Sequence, residues 1–164
     1  MVGKKKFTGF TLIEVLVVMG IIAVIFSLSV LAVLNIQKGQ LLDNHTWAVV
    51  SLLRQAQNQA LNGVSVDGTN QTNFGVHFDD TAGQYTLFRG DSFDPSDPYN
   101  FTQSLPSGLS FHLTLPSGNN VIFNKITGRV GNYNSLRHFI RIRDDNTGDE
   151  ITIDFNQEGA VDVQ

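Results

Sequence analysis

One glutamate stands out near the start of the sequence because it borders a long apolar stretch. Glu14 directly precedes residues 15–34, which are twenty residues without a charged side chain. A carboxylate at the centre of a membrane costs at least about 2.5 kcal/mol, and less near the surface, so it usually marks a contact with a specific partner. The simpler interpretation is a side chain that extends to the lipid headgroups from the end of the stretch.

The other residue types with catalytic potential follow no catalytic pattern. The histidines are scattered and lack the spacing of an HExxH or related motif: His45, His77, His112 and His138. The sequence contains no cysteine, which excludes disulfides, thiolate metal sites and cysteine nucleophiles. It also lacks a P-loop, a dinucleotide fingerprint and a G-x-S-x-G motif. We therefore expect no enzyme, no cofactor and no small-molecule substrate, with a membrane-anchored enzyme as the alternative from a different class.

Two acidic stretches offer oxygen ligands of the kind that calcium prefers. They are DSFDPSD, residues 91–97, and DDNTGDE, residues 144–150. Neither has the spacing of an EF-hand loop. Asp, Asn and Gly also favour turns, which is the simpler explanation of both stretches, and we expect no metal site.

A group of basic residues in the second half of the chain is a candidate nucleic-acid surface. Five of the eight basic residues beyond position 9 belong to it: Lys125, Arg129, Arg137, Arg141 and Arg143. On a predicted strand, Arg141 and Arg143 share one face with Phe139, and a cationic stripe of this kind could follow a phosphate backbone. The formal net charge of −4 and the nearby acids favour instead a solvated face with local ion pairs: Asp144, Asp145, Asp149 and Glu150.

The element that carries Glu14 is predicted to be a transmembrane helix over residues 10–36. Twenty uncharged residues form a helix of about 30 Å, the thickness of a hydrocarbon core. Lys4, Lys5 and Lys6 precede it, which places the N-terminus in the cytoplasm. A secretory signal peptide fits less well because its apolar region is shorter, about 7–15 residues. A plain signal anchor leaves Glu14 unexplained.

The stretch KKKFTGFTLIEVLVVMGIIAVI, residues 4–25, resembles the class III leader of type IV pilins and pseudopilins. In that family a prepilin peptidase cuts after the residue that matches Gly9 and methylates the one that matches Phe10. Glu14 matches the family's glutamate at the fifth mature position. The resemblance implies a leader over residues 1–9 and three partners, namely the peptidase, the membrane and other pilin subunits.

The resemblance also implies a role for Glu14, which in pilin-like assemblies meets the amino terminus of a neighbouring subunit. Cleavage creates a positive charge at Phe10, and both charges would lie in an apolar bundle. Pairing them offsets the cost of isolating each one. Because the two groups lie one turn apart on related helices, the pair selects a stagger between neighbours, as a buried polar residue does in a coiled coil.

The rest of the chain is predicted to be an exported domain of the α+β class, with a long N-terminal helix packed on a mostly antiparallel sheet. An amphipathic helix continues over residues 37–63 and ends near Gly63, with its apolar face at Leu41, Ala48, Val49, Leu52, Leu53, Ala56 and Ala60. After a loop at residues 64–73, apolar residues alternate. The predicted strands are residues 74–78, 84–90, 109–115, 121–125, 137–143, 150–155 and 160–163. The β-rich domain thus spans residues 64–164, with His77 and His112 as sheet-face residues.

Parts of this domain resemble the FimT and H-type pseudopilin branch. The similar stretches are residues 74–88, 121–130 and 151–163. This resemblance implies a minor pilin or pseudopilin in the bacterial cytoplasmic membrane, crossing it once, and later in a pilus, the periplasm or the cell surface. The alternatives within the family are an H-type pseudopilin of type II secretion, acting in protein export, and a minor pilin of a competence system that binds DNA.

Overall fold

The computed structural model describes residues 11–63, 72–116 and 118–164, with the side chains of residues 28–39 excepted. The chain forms two compact units, one ending at Gln40 and one running from Leu41 to Gln164. Most of the predicted loop at residues 64–73 lies outside the described residues. So do the predicted leader, residues 1–9, and Phe10.

The first unit contains the start of helix α1, which extends over Leu12–Leu61. No proline interrupts this sequence, and Leu, Ile, Val and Ala predominate in its first half. In the described part of the chain, no helix combines the length and hydropathy needed for a bilayer span. The predicted transmembrane segment, residues 10–36, lies partly outside that part, at Phe10 and at the side chains beyond Ser27.

In the second unit, α1 buries one face against the sheets. The predicted face is confirmed at Val49, Leu52, Leu53, Ala56 and Ala60, each at most 3% exposed. The prediction that Leu41 belongs to this face is wrong. Leu41 is 38% exposed, and Leu42 is buried instead. The polar Thr46, one turn after Leu42, is also buried, and its hydroxyl donates a hydrogen bond to the Leu42 carbonyl at 2.8 Å. This local hydrogen bond satisfies the hydroxyl, so the burial of Thr46 does not carry the free-energy cost of an unpaired polar group.

Eight strands form two antiparallel sheets, which confirms the α+β class but divides the predicted sheet in two. The first sheet has the order β3-β2-β1-β5 and the second β4-β6-β7-β8. The strands are β1 (Phe74–Asp79), β2 (Gln84–Arg89), β3 (Phe101–Ser104), β4 (Leu109–Thr114), β5 (Asn120–Phe123), β6 (Phe139–Asp144), β7 (Glu150–Phe155) and β8 (Val161–Val163). Strand β3 was not predicted, because this short edge strand is largely exposed and shows no apolar alternation.

The core lies between the inner faces of the two sheets and helix α1. Phe111 of the second sheet meets Phe78 and Tyr85 of the first edge to face, with ring centroids 5.5 and 6.0 Å apart. Aromatic rings prefer this arrangement. Tyr85 is only 2% exposed, and burial raises the pKa of its phenol. The alternation predicted on β4 is confirmed at Leu109 and Phe111, which are buried in the core, whereas Leu113 is half-buried and packs against it.

The loop over residues 124–130 attaches to the C-terminal end of α1. The Ile126 amide donates a hydrogen bond to the carbonyl of Ala60 at 3.0 Å, which satisfies one of the last helix carbonyls. The Gln57 side chain donates to the carbonyl of Gly128 at 3.1 Å. These bonds place the basic residues of the loop beside the helix end.

Candidate functional site

Helix α1 begins with a capping arrangement that includes Glu14. The amide of Glu14 donates to the hydroxyl of Thr11 at 3.3 Å and to its carbonyl at 3.1 Å, and the Val15 amide donates to the same carbonyl at 3.3 Å. A threonine followed three residues later by a glutamate is the sequence pattern of a capping box. An acidic side chain in the first turn also complements the helix dipole. Sequence reasoning missed this role, although the pattern T-L-I-E was visible.

The helix surface after Glu14 is apolar on every side. Between Leu12 and Phe26, twelve large apolar side chains are between 49% and 81% exposed. A surface of this extent exceeds the apolar patches that monomeric soluble proteins present to water. The hydroxyl of Ser27, directly after these residues, is satisfied within the helix, because it donates to the Ala23 carbonyl at 2.9 Å. This segment therefore requires a cover of lipid or of other apolar helices.

Glu14 lies at the edge of that apolar surface with an exposed side chain. Among the described residues, no cation forms an ion pair with its carboxylate. The predicted processing residues, Gly9 and Phe10, lie outside the described residues. Cleavage between them, methylation of Phe10 and the role of Glu14 in assembly therefore stay predictions.

Two of the five basic residues, both arginines, lie on strand β6. Arg141 and Arg143 lie on the face away from the core, while Ile140 and Ile142, which alternate with them along the strand, are fully buried, as the alternation predicted. The guanidinium of Arg141 lies 4.8 Å from the centre of the Phe139 ring, within the range of a cation–π contact. Nη1 of Arg143 lies 3.8 Å from Oε1 of Glu150, so part of its charge is compensated.

The other three basic residues lie on different elements. Lys125 and Arg129 belong to the loop between β5 and β6, and Arg137 precedes β6 in a turn closed with Asn134. Arg129 forms a two-point ion pair with Glu158, at 2.9 and 2.8 Å. The five residues thus come from three places in the chain, namely the loop after β5, the turn before β6, and β6 itself.

His112 lies beside the arginines of strand β6, and sequence reasoning did not connect it with them. It lies directly opposite Arg141 in the β4–β6 pair and is exposed. Nothing in the sequence indicates that the two residues are neighbours, because 28 residues lie between them. Only the register of the two strands brings them together.

The two acidic stretches are used to close turns. Oδ1 of Asp144 accepts hydrogen bonds from the amides of Asn146 and Thr147, at 2.8 and 3.3 Å. In the other stretch, hydrogen bonds from Ser96 lower the pKa of Asp94. A hydrogen bond from the Tyr99 amide, followed by that from Arg89, lowers the pKa of Asp97. These contacts support the turn interpretation over a calcium site.

Two of the remaining histidines have structural neighbours. The His77 ring stacks on Phe93 with 4.1 Å between centroids, and its Nδ1 lies 2.8 Å from Oδ1 of Asn120. Nε2 of His138 lies 3.4 Å from Oδ1 of Asp154. Across the described ranges, no three His, Asp or Glu side chains are grouped so as to hold a metal ion.

Comparison with known proteins gives one match, and it falls on the N-terminal segment. Residues 4–34 match the family described as the prokaryotic N-terminal methylation motif. No curated protein and no solved structure matches the chain significantly. The motif implies processing by a prepilin peptidase, a membrane-anchored N-terminus and a pilus or periplasmic destination. The match is confined to this N-terminal segment, and over these residues the chain is similar to the methylation motif that type IV pilin-like proteins carry.

Proposed function

We propose that this protein is a minor pilin or pseudopilin, a structural subunit that joins a type IV pilus-like filament. In this proposal the peptidase cuts between Gly9 and Phe10, methylates Phe10, and leaves residues 10–36 as the membrane and filament segment. The observation that carries it is the apolar surface between Leu12 and Phe26, exposed on all sides with one carboxylate at its start. Such a segment gains about 1.5–3 kcal/mol for each large side chain that a neighbouring helix or lipid covers.

Glu14 is the residue that sets the position of the subunit among its neighbours. Its carboxylate has no cationic partner in the described part of the chain, and the processed neighbour supplies one at its amino terminus. Inside an apolar bundle the two groups stabilise each other, whereas either alone is strongly unfavourable. The pair therefore favours one stagger of the helices over all others.

The first test is processing of the chain. Co-expression with a prepilin peptidase should shorten the protein by the nine residues of the leader. Mass spectrometry of the mature protein should show one additional methyl group at Phe10. A chain that stays at full length in the presence of an active peptidase would contradict the proposal.

The second test separates the charge of Glu14 from the capping of the helix by Thr11. Gln at this position can still complete a capping box but carries no charge, so we expect Glu14→Gln to lose filament incorporation. Thr11→Val removes the capping hydroxyl and keeps the charge, so this matched control should be incorporated. Normal incorporation of both Glu14→Gln and Glu14→Leu would rule out the charge pair.

The narrower assignment to the FimT and H-type branch rests on the stretches of the β-rich domain that resemble it. Two functions are compatible with that branch, namely a pilus and the pseudopilus of type II secretion. Deletion of the gene distinguishes them: loss of surface filaments indicates a pilus, and accumulation of exoproteins in the periplasm indicates secretion. A competence pilin that binds DNA is the third candidate, and it depends on Arg141 and Arg143.

A further inference from the structure

The outer face of the second sheet separates its charged side chains by strand. This face carries the residues that alternate with the buried Ile140, Ile142 and Ile153. On β4 and β6 its titratable side chains are basic: His112, Arg141 and Arg143. On β7 and β8 they are acidic: Glu150, Asp154 and Asp162. We call these two groups the basic half and the acidic half of the face.

The strand register places the two halves on opposite sides of the midline of the sheet. One row of residues crosses all four strands: His112, Arg141, Thr152 and Gln164. In the next row, Asp154 lies opposite Asp162. Because the strand order is β4-β6-β7-β8, the midline runs between β6 and β7, with the basic side chains on one side and the carboxylates on the other.

Each half keeps one charge that no opposite charge compensates. Among the described residues, neither Arg141 nor Asp162 forms an ion pair, and both side chains are exposed. The other two carboxylates have basic neighbours: Glu150 beside Arg143, at 3.8 Å, and Asp154 beside His138, at 3.4 Å. The Arg141 guanidinium lies 4.8 Å from the centre of the Phe139 ring, which holds the charge over the face. A partner with the reverse arrangement of charges therefore complements this face.

A second copy of the same chain has that reverse arrangement. A two-fold axis parallel to the strands, above the midline, places β6 over β7 of the other copy and β4 over β8. The basic half of each copy then faces the acidic half of the other. A nucleic acid, by contrast, is attracted by the basic half and repelled by the acidic half, and a cationic segment meets the opposite. Charge complementarity thus favours a second copy over either of these ligands.

We propose that two copies of this protein associate through the outer faces of their second sheets, about a two-fold axis. Four strands of up to six residues offer a face about 19 Å wide and about 20 Å long, which is about half of the ~800 Å² that each partner contributes to a stable complex. The contact is therefore weak between copies free in solution. It becomes effective when both copies are anchored in one membrane, because anchoring raises their effective concentration. The proposal needs only the membrane anchor and the second unit, so it stands even if filament incorporation is disproved.

Cross-linking of the full-length protein, in membranes of cells without a prepilin peptidase, tests the pairing. The native sequence has no cysteine, so introduced thiols report only on their own positions. Because His112 and Gln164 end one row, the two-fold axis places each of them over the other in the second copy. Facing sheets lie about 10 Å apart and a cysteine side chain extends about 2.5 Å, so a thiol cross-linker about 5 Å long joins these positions. We expect His112→Cys with Gln164→Cys to give a covalent dimer.

The controls exclude other routes to a cross-link. Within one chain the two positions are three strand spacings apart, about 14 Å, which exceeds the length of the linker. Each single variant places its two thiols equally far apart across the pair and should stay monomeric. Thr81→Cys with Gln164→Cys, whose first thiol lies in an exposed turn of the other sheet, should also stay monomeric. Absence of a dimer from the His112 and Gln164 pair would overturn the proposal, and so would equal yields from a control. A ladder of larger products would show a head-to-tail contact and would overturn the two-fold arrangement.

Charge variants in the same cysteine background test what holds the pair together. Arg141→Glu should lower the dimer yield at least about fivefold, because a carboxylate then faces the acidic half of the partner. Arg54→Glu makes the same charge change at an exposed position of helix α1 and should leave the yield unchanged. Salt at about 1 M, which screens charges beyond about 3 Å, should lower the yield as Arg141→Glu does. A dimer yield that neither Arg141→Glu nor salt changes would refute the proposed pairing of charges.

Discussion

The Glu14 carboxylate is suited both to the start of helix α1 and to the filament contact proposed above. In the free subunit it lies in the first turn of α1, next to the Thr11 cap, where it favours the start of the helix. In the filament proposed above it pairs with the amino terminus of a neighbour. The two roles are compatible because both need a negative charge at the N-terminal end of the helix.

Gly128 is the residue where backbone conformation and close packing coincide. Its φ angle is 64°, and an added Cβ would lie 2.7 Å from Cγ of Leu61. Gly83 has nearly the same φ, 63°, but open space around the missing Cβ. We predict that Gly83→Ala destabilises the protein by about 1–2 kcal/mol, the cost of a left-handed residue. Gly128→Ala should cost about 1–3 kcal/mol more, because it also overpacks the site.

Urea denaturation of the full chain in detergent, followed by near-UV circular dichroism, measures both glycine variants. The difference between them isolates the contact with Leu61. Equal losses of stability would show that Leu61 moves aside without cost.

Asp97 gives the protein a predictable response to acid. The Tyr99 amide and Arg89 hold the pKa of its carboxyl below the ordinary value of 3.8. The carboxylate therefore stabilises the fold above pH 3.8, and this contribution is lost as the pH falls through the lowered pKa. We predict that Asp97→Asn melts below wild type at pH 6 and that the difference narrows toward pH 2.5. A constant difference in melting temperature across this range would contradict the prediction.

At the scale of elements, the β6–β7 hairpin depends on the residue that closes its turn. Asp144 is 5% exposed, and its carboxylate accepts hydrogen bonds from the amides of the turn. Asp145 is exposed, and its side chain accepts one hydrogen bond, from the Ser110 hydroxyl at 2.7 Å. The two neighbouring acids therefore contribute to the sheet very differently, although the sequence does not distinguish them.

We predict that Asp144→Ala destabilises the protein by about 1–3 kcal/mol, because buried donors lose their acceptor. Asp145→Ala should cost less than about 0.5 kcal/mol, the usual effect of a surface substitution. Urea denaturation curves of the two variants provide the comparison. The reverse order would mean that the turn is held by contacts other than the Asp144 carboxylate.

At the scale of the whole molecule, charge argues against general DNA binding. Residues 10–164 have a formal net charge of −7, and ion pairs compensate Arg129 and part of the charge of Arg143. If only Arg141 and Arg143 contact phosphates, the logarithm of the affinity should fall with the logarithm of salt at a slope no steeper than about −2. Fluorescence anisotropy with a labelled duplex at several salt concentrations measures this slope.

The matched variants for this measurement each remove two basic residues. Arg141→Ala with Arg143→Ala removes the β6 pair, and Lys38→Ala with Arg54→Ala, which lie outside the five candidate residues, is the control of equal charge. We expect little difference between them. Tight binding that only the β6 double variant loses would contradict our expectation and establish the competence pilin as the function.

The sequence by itself determined the features that depend on neighbouring residues. Apolar spacing of three and four gave the buried face of α1 from Val49 onward, and alternation gave strands such as β4 and β7. The N-terminal motif, including Glu14, is contiguous and was recognised in full. These features were predictable because helix and strand periods are local properties of the chain.

Only the tertiary structure decided which distant residues meet. It divided the strands into two sheets, paired Arg129 with Glu158, and placed His112 beside Arg141. It also placed Asp154 opposite Asp162 in the β7–β8 pair, with Nε2 of His138 3.4 Å from Oδ1 of Asp154. The physical reason is that strand register and ion pairing join residues far apart in the sequence, and a hydrophobic pattern specifies which face is buried but not which strand lies alongside.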